Sequence, residues 1–140
     1  MIDLSKLWKM REIMPVVAVD SLSGKVLMLG YMNKEAFAFT LKTHKMFYCD
    51  SHGGNVRMKG EHTGHIQKLK TIKADVDYKS LLVTVDQVGN ACHHDGGHST
   101  YYIHNIFGND DDDVAKRNKF GRVEIDENFD YSKEDYDDFD

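Results

Sequence analysis

Residues 86–102, DQVGNACHHDGGHSTYY, concentrate side chains that can bind a metal or move a proton. One thiol and three imidazoles fall within seven residues, at Cys92, His93, His94 and His98. Thiolate and imidazole are ligands that Zn²⁺ prefers, and bound zinc lowers the pKa of a coordinated water to about 7. The segment therefore predicts either a zinc site that activates water or a solvated, histidine-rich loop.

Two carboxylates, Asp75 and Asp77, occur at alternate positions of a predicted strand. Side chains at alternate strand positions point to the same face, so both carboxylates would lie together. Carboxylate oxygens are the ligands that hard cations such as Mg²⁺ prefer. A magnesium site and a strand end that carries two solvated aspartates are both consistent with this pair.

A third polar cluster runs from Lys59 to Gln67, with the sequence KGEHTGHIQ. It combines a cation, a hydroxyl, an amide and imidazoles with two glycines, which is the composition of a loop that binds a polar ligand. A solvent-exposed turn accounts for the same composition equally well. From the residues alone, both interpretations stay open.

The elements that must position these clusters are mostly strands. Residues 14–20 and 25–31 are apolar runs separated by SLSG, which predicts a β-hairpin. Asn33 can cap a helix predicted over residues 34–43, where apolar side chains recur at helical spacing. Further strands are predicted over residues 45–51, 55–59, 65–77, 80–88, 99–107 and 119–125. The pattern predicts an α+β fold, a mostly antiparallel and barrel-like sheet with one main helix.

The composition indicates one small domain followed by an acidic extension. The chain has 140 residues, a net charge of −5 and 41% hydrophobic side chains. Residues 108–140 carry 13 acidic and 5 basic side chains, whereas residues 1–107 carry 10 and 13. We expect a mildly basic domain over residues 1–107, suited to a small anion, and an acidic C-terminal extension over residues 108–140.

The same composition argues against several classes of function. Lysine and arginine are too sparse for a nucleic-acid footprint, and no apolar run approaches the roughly 18–20 residues that span a bilayer. The N-terminal segment lacks the apolar core of a signal peptide, and two cysteines make a poor disulfide framework. We therefore expect a cytoplasmic protein that binds neither nucleic acid nor membrane.

Three stretches of the sequence resemble the phosphoribosyl-AMP cyclohydrolase family of histidine biosynthesis. They are GKVLMLGYMNKEAFAFTL, KGEHTGHIQ and DQVGNACH, and the likeness runs from about residue 14 to residue 103. The family's K-G-x-T-S-G-N-x-Q loop matches at Lys59, Gly60, Thr63 (for Ser), Gly64 and Gln67. Its A-C-H tripeptide matches residues 91–93.

The resemblance implies a homodimeric hydrolase with active sites at the subunit interface. In this family, three cysteines drawn from both subunits hold zinc, and a D-C-D-x-D run holds Mg²⁺. Water opens the purine ring of phosphoribosyl-AMP between N1 and C6, leaving a carboxamide and a formimino group. The implied partners are this small purine nucleotide and a second copy of the chain.

Carried over residue by residue, the resemblance assigns a role to each cluster. His93 would transfer protons, and Cys92 occupies the position of a zinc ligand. The substrate would be bound by Arg57, Lys59, Thr63 and Gln67. Arg57 stands where the family has tryptophan, so it adds one positive charge to the site.

Several positions depart from the family pattern. D-C-D-x-D reads DVDYK over residues 75–79, so a zinc cysteine becomes valine and the third aspartate becomes Lys79. The last zinc cysteine falls at Ser99 or Thr100. The family's Y-S-R-S-R stretch reads YCDSH over residues 48–52 and lacks two arginines suited to phosphate, which predicts a changed substrate, such as a related purine nucleotide.

Two interpretations of these departures survive. His94 and His98 replace the lost thiols as zinc ligands, because stable zinc sites use three or four protein ligands. Alternatively, the chain is a non-catalytic nucleotide-binding module that keeps the dimeric fold without zinc. We favour the first interpretation, and we expect Asp75 and Asp77 to bind Mg²⁺ more weakly because Lys79 adds a positive charge nearby.

Overall fold

The computed structural model describes residues 4–9, 11–108 and 128. The chain divides into two units, residues 1–104 and 105–140, and the helices and strands of the described residues all lie in the first. One α-helix, α1, spans Lys34–Thr43. The strands are β1 Met14–Asp20, β2 Val26–Met32, β3 Phe47–Tyr48, β4 Arg57–Met58, β5 Gln67–Ala74 and β6 Leu81–Gln87. Short 3₁₀ turns span Leu4–Lys6 and His94–Gly96.

The hairpin of β1 and β2 forms as the SLSG segment predicts. The two strands pair antiparallel along their length. Asp20 closes the turn, since its Oδ2 accepts from the backbone N–H of Ser23 at 2.9 Å and from the Ser23 hydroxyl at 2.8 Å. Gly24 adopts a φ of 73°, a conformation that favours glycine. This prediction is confirmed.

Helix α1 begins and ends where its local sequence predicts. Asn33 Oδ1 accepts from the backbone N–H of Ala36 at 2.8 Å and so caps the first turn. His44 ends the helix in a left-handed conformation with a φ of 59°. Phe37 turns inward to the core, where its ring meets Trp8 edge to face at 5.5 Å.

The main sheet is open rather than closed. Its four strands lie in the order β2-β1-β6-β5, with β1 parallel to β6 and the other two pairs antiparallel. A separate two-stranded sheet pairs β3 with β4. Because β2 and β5 do not pair with each other, the sheet is not a closed barrel and the prediction of a barrel-like domain is wrong, whereas the α+β class with one helix is confirmed.

The segment expected to add a further strand does not form one. In residues 99–107, the backbone N–H of Tyr101 bonds the carbonyl of Leu27 at 2.8 Å. The side chain of Thr100 donates to the carbonyl of Val26 at 2.7 Å, so a hydroxyl takes an acceptor that a backbone ladder would need. Thr100 and Tyr101 therefore lie against the start of β2 as irregular chain, and the strand predicted over residues 99–107 does not form.

Two further strand predictions have different outcomes. The strand predicted over residues 65–77 ends at Ala74, because Asp75 folds the chain back toward β6. The strand predicted over residues 119–125 lies outside the described residues. In the described part of the chain, no helix combines the length and apolar character that crossing a bilayer requires.

Candidate active-site cleft

A cleft of about 320 Å³ lies where β2, β3 and β4 meet the Lys59–Gln67 loop. Its walls include three of the residues predicted to bind substrate, Arg57, Lys59 and Thr63, together with His93. The remaining lining residues are Met28, Tyr48, Cys49, Asp50, Asn55, Met58, Gly60, Glu61, His62 and Tyr101. The fold therefore gathers cations, a hydroxyl and an imidazole around one space.

Lys59 is held in place at the rim of the cleft. Its Nζ donates to the hydroxyl of Tyr101 at 2.7 Å and lies 4.8 Å from the centre of the same ring. Its backbone N–H bonds the carbonyl of Met46 at 2.9 Å. A cation restrained in this way loses less side-chain entropy when it binds an anion.

A buried hydrogen-bond chain supports the floor of the cleft. The Tyr48 hydroxyl donates to Gln67 Oε1 at 2.6 Å, and Gln67 Nε2 donates to Gln87 Oε1 at 2.9 Å. Burial raises the pKa of Tyr48 far above its usual value, so the hydroxyl stays protonated as a donor. Gln67, predicted to bind substrate, is fully buried beneath the cleft and holds Tyr48 from below.

His93 makes a ring contact with a second histidine from the Lys59–Gln67 loop. The imidazoles of His65 and His93 have centroids 4.7 Å apart, with 33° between their planes. His65 Nδ1 accepts from the backbone N–H of Asn90 at 3.3 Å. The pair joins two of the three polar clusters identified in the sequence.

The loop between Cys92 and His98 is closed by its backbone. The Cys92 N–H donates to the His98 carbonyl at 3.1 Å, and the His98 N–H donates to the Cys92 carbonyl at 2.8 Å. Positive φ angles at Gly96 (88°) and Gly97 (108°) turn the chain. Cys92 is buried, while the His94 side chain is 74% exposed.

One chain does not assemble the predicted metal ligands. In the part of the chain that the structure describes, no three His, Cys, Asp or Glu side chains are placed to hold one ion. Cys92 lies inward, whereas the His94 imidazole lies 3.7 Å from Asp95 at the surface. The donor types suit zinc, but the described residues of a single copy do not fit it.

Asp75 and Asp77 lie in the turn between β5 and β6, so their predicted place on one strand face is wrong. Asp75 Oδ1 accepts from the backbone N–H groups of Asp77 and Lys79, each at 2.9 Å. Its Oδ2 accepts from the Ser80 hydroxyl at 2.7 Å. The Lys79 N–H, the Ser80 hydroxyl and the Asp77 N–H lower the pKa of Asp75. The Asp75 carboxylate thus serves as the acceptor that closes the turn.

Asp50 brings a fixed negative charge into the cleft. Its Oδ1 accepts from the N–H groups of Gly54 at 2.9 Å and His52 at 3.0 Å, and its Oδ2 from Asn55 Nδ2 at 3.1 Å. The Gly54 N–H is the main cause that lowers the pKa of Asp50. The lining of the cleft thus includes two cations, at residues 57 and 59, and two carboxylates, at residues 50 and 61.

Sequence reasoning missed four residues of this arrangement: His65, Tyr48, Asp50 and Tyr101. His65 gives a partial signal, because it is an imidazole within a glycine-containing polar cluster. Tyr101 gives none, since its contact with Lys59 depends on how residues 99–107 cross the fold.

Comparisons with known proteins cover the same part of the chain. The profile of the phosphoribosyl-AMP cyclohydrolase family matches residues 28–102. The phosphoribosyl-AMP cyclohydrolase of Streptococcus mutans is 42% identical over 103 residues, which is 73% of this chain and 94% of that protein. Phosphoribosyl-AMP cyclohydrolase 1 of Pseudomonas fluorescens is 35% identical over 95 residues, which is 68% of this chain and 73% of that protein.

A longer protein also matches. The histidine biosynthesis bifunctional protein HisIE of Wolinella succinogenes is 43% identical over 86 residues, which is 61% of this chain and 38% of that protein. All the residues that line the cleft fall within the matched residues 28–102.

Proposed function

The chain belongs to the phosphoribosyl-AMP cyclohydrolase family, and we propose that it opens the purine ring of phosphoribosyl-AMP, or of a related purine nucleotide, in histidine biosynthesis. The main observation in support of this proposal is that every residue lining the cleft falls within residues 28–102, which match the family. Two imidazoles and two cations line that cleft, and these groups suit proton transfer and the binding of an anionic nucleotide.

The proposed reaction adds one water across the N1–C6 bond. The water oxygen bonds to C6, the N1–C6 bond breaks, and C6 becomes the carbonyl carbon of a carboxamide. N1 gains a proton and remains in the formimino group. His93 is the proposed group that takes a proton from water and returns one to N1, since its imidazole lines the cleft.

Substrate binding is assigned to the basic side of the cleft. Arg57 and Lys59 pair with phosphate oxygens, and the Thr63 hydroxyl adds a hydrogen bond. Gln67 acts from below through the Tyr48 hydroxyl, at 2.6 Å. Asp50 and Glu61 line the same cleft and partly offset the charge of the two cations.

Zinc is proposed as a cofactor shared between two copies of the chain. Cys92, His94 and His98 are the candidate ligands, and the spread of these side chains in one copy is the reason for requiring a second. A homodimer is proposed on the same ground. Light scattering then gives twice the chain mass of 16.1 kDa.

Magnesium at Asp75 and Asp77 is a weaker proposal. The Asp75 oxygens already accept hydrogen bonds from residues 77, 79 and 80, so a cation would compete with the bonds that close the turn.

A non-catalytic nucleotide-binding module is the second candidate function. The specific observation in its favour is that the described residues of one chain hold no three-ligand metal group. This alternative keeps the cleft and its cations and predicts binding without turnover.

The two candidates are separated by incubating the purified protein with phosphoribosyl-AMP. We expect the absorbance of the ring-opened product to appear at a rate proportional to protein concentration. Calorimetric titration with the same nucleotide, run in parallel, would reveal binding without product if the second candidate is correct.

A further inference from the structure

We propose that His65 is a positioning residue, which holds the imidazole of His93 in one orientation at the cleft. The inference rests on the proposed function, because it supports the proton transfer assigned to His93. It follows from the 4.7 Å contact between the two rings, which come from separate loops. Ring pairs at about 4.5–7 Å pack favourably.

The His65 ring is itself fixed by its surroundings. Its Nδ1 accepts from the Asn90 N–H at 3.3 Å, and its carbonyl accepts from Gln87 Nε2 at 3.1 Å. Gly89 approaches so closely that a Cβ there would lie 2.8 Å from ring atoms of His65. At Gly60 a Cβ would lie 2.4 Å from the His65 carbonyl carbon. Two loops thus close around this residue because glycine stands at each contact.

His93, by contrast, is exposed and begins the 3₁₀ turn His94–Gly96 without a side-chain capping bond. An exposed imidazole that samples several rotamers must lose that freedom before it can accept a proton from water. Contact with the fixed His65 ring restricts the rotamers of His93 before the substrate binds. This raises the fraction of molecules in which the His93 imidazole is oriented for proton transfer.

The kinetic test compares His65→Ala with His65→Phe on phosphoribosyl-AMP. Alanine removes the stacked ring, so we expect kcat to fall roughly ten- to a hundredfold while KM changes less than about twofold. Phenylalanine keeps an aromatic face toward His93, so we expect it to restore kcat to within about threefold of wild type. His104→Ala, at an exposed histidine outside the cleft, is the matched control.

A second readout needs no turnover. In proton NMR spectra, the ring of His65 shifts the Hδ2 resonance of His93, which the loss of that signal in His93→Gln identifies. We expect this resonance to move in His65→Ala and to stay near its wild-type position in His65→Phe and His104→Ala. Circular dichroism of each variant checks that the fold is retained.

The outcomes separate the two levels of the proposal. If wild type produces no ring-opened product, the proposed function fails, and an NMR shift in His65→Ala alone still supports the positioning of His93. If wild type turns over, and His65→Ala keeps both kcat and the His93 resonance, the positioning role is overturned. A kcat in His65→Phe as low as in His65→Ala overturns it as well.

Discussion

Two regions of this chain carry the residue types of a metal site, and they use their polar groups in opposite ways. In the Asp75–Ser80 turn, a side-chain carboxylate accepts the hydrogen bonds that close the turn. In the Cys92–His98 loop, two backbone hydrogen bonds close the loop instead. The side chains of the loop are therefore not required for its closure.

The difference concerns which groups are free to bind a ligand. A carboxylate that already accepts several protein donors must give them up before it can bind a cation. The Cys92–His98 loop closes through its backbone, so its imidazoles need not give up a bond that closes the loop before they bind a metal. Residue type and spacing look equally suited to metal in both regions, yet the hydrogen bonding favours the loop.

The largest expected effect is on zinc content, and it tests the favoured side of the comparison. For protein purified without chelator, we expect near-stoichiometric zinc in wild type. Cys92→Ala and His98→Ala should lose most of it, because a site with fewer than three protein ligands binds weakly. Asp75→Ala is the matched control and should keep its zinc. Equal zinc in all four proteins, or none in any, would rule out the loop site.

The parts of this fold that local chemistry dictates could be predicted from the sequence. Helix α1 has its cap at Asn33 and its bounds as expected, and the β1–β2 hairpin forms at SLSG, because neighbouring residues supply the needed hydrogen bonds. Contacts between distant segments could not. Nothing in residues 99–107 indicates that the Thr100 side chain would take the place of a strand bond.

The same limit applies to the candidate site. The Lys59–Gln67 loop and His93 could be selected by composition, and both line the cleft. The stacking of His65 on His93 depends on the close approach of Gly89, which no local pattern specifies. The prediction that Asp75 lies in a strand was wrong for a local reason. The same short sequence is compatible with a strand and with a turn that an aspartate side chain closes.

A smaller effect is expected on nucleotide affinity. Asp50→Asn removes a negative charge from the cleft and keeps an oxygen acceptor, so we expect it to bind AMP roughly three- to tenfold more tightly at low salt. The gain should shrink as salt is added, because ions screen the charge. Asp77→Asn makes the same charge change in the turn and should leave AMP affinity unaltered. Calorimetric titration measures both, and an equal gain in the two variants would contradict a local role for Asp50.

A modest effect is expected on Mg²⁺ binding at the turn. Lys79→Asp replaces a positive charge by a negative one beside Asp75 and Asp77. We expect Mg²⁺ affinity to rise a few-fold, as charge reversal near an exposed cation site predicts. Lys73→Asp, on β5, is the control for the change in net charge. Unchanged affinity in Lys79→Asp would show that its side chain lies away from the pair.

The smallest effect is on stability in acid. Hydrogen bonds lower the pKa of Asp75, so its stabilisation is present above the unfolded pKa of about 3.9 and is lost as pH falls through the folded value. As the pH falls from about 5 to about 2, the free energy of unfolding should therefore decrease less in Asp75→Asn than in wild type. Val76→Ala, an exposed change in the same turn, should follow wild type. Parallel pH profiles for wild type and Asp75→Asn would contradict the assigned hydrogen bonds.

The central claim is that this cleft opens a purine ring with His93 as its proton-transfer group, and the most direct test is the ring-opening rate of His93→Ala on phosphoribosyl-AMP. We predict that kcat/KM falls roughly 10²- to 10⁴-fold in His93→Ala, while His104→Ala retains the wild-type value. A His93→Ala rate within a few-fold of wild type, or a wild type that binds the nucleotide and releases no product, would contradict the claim.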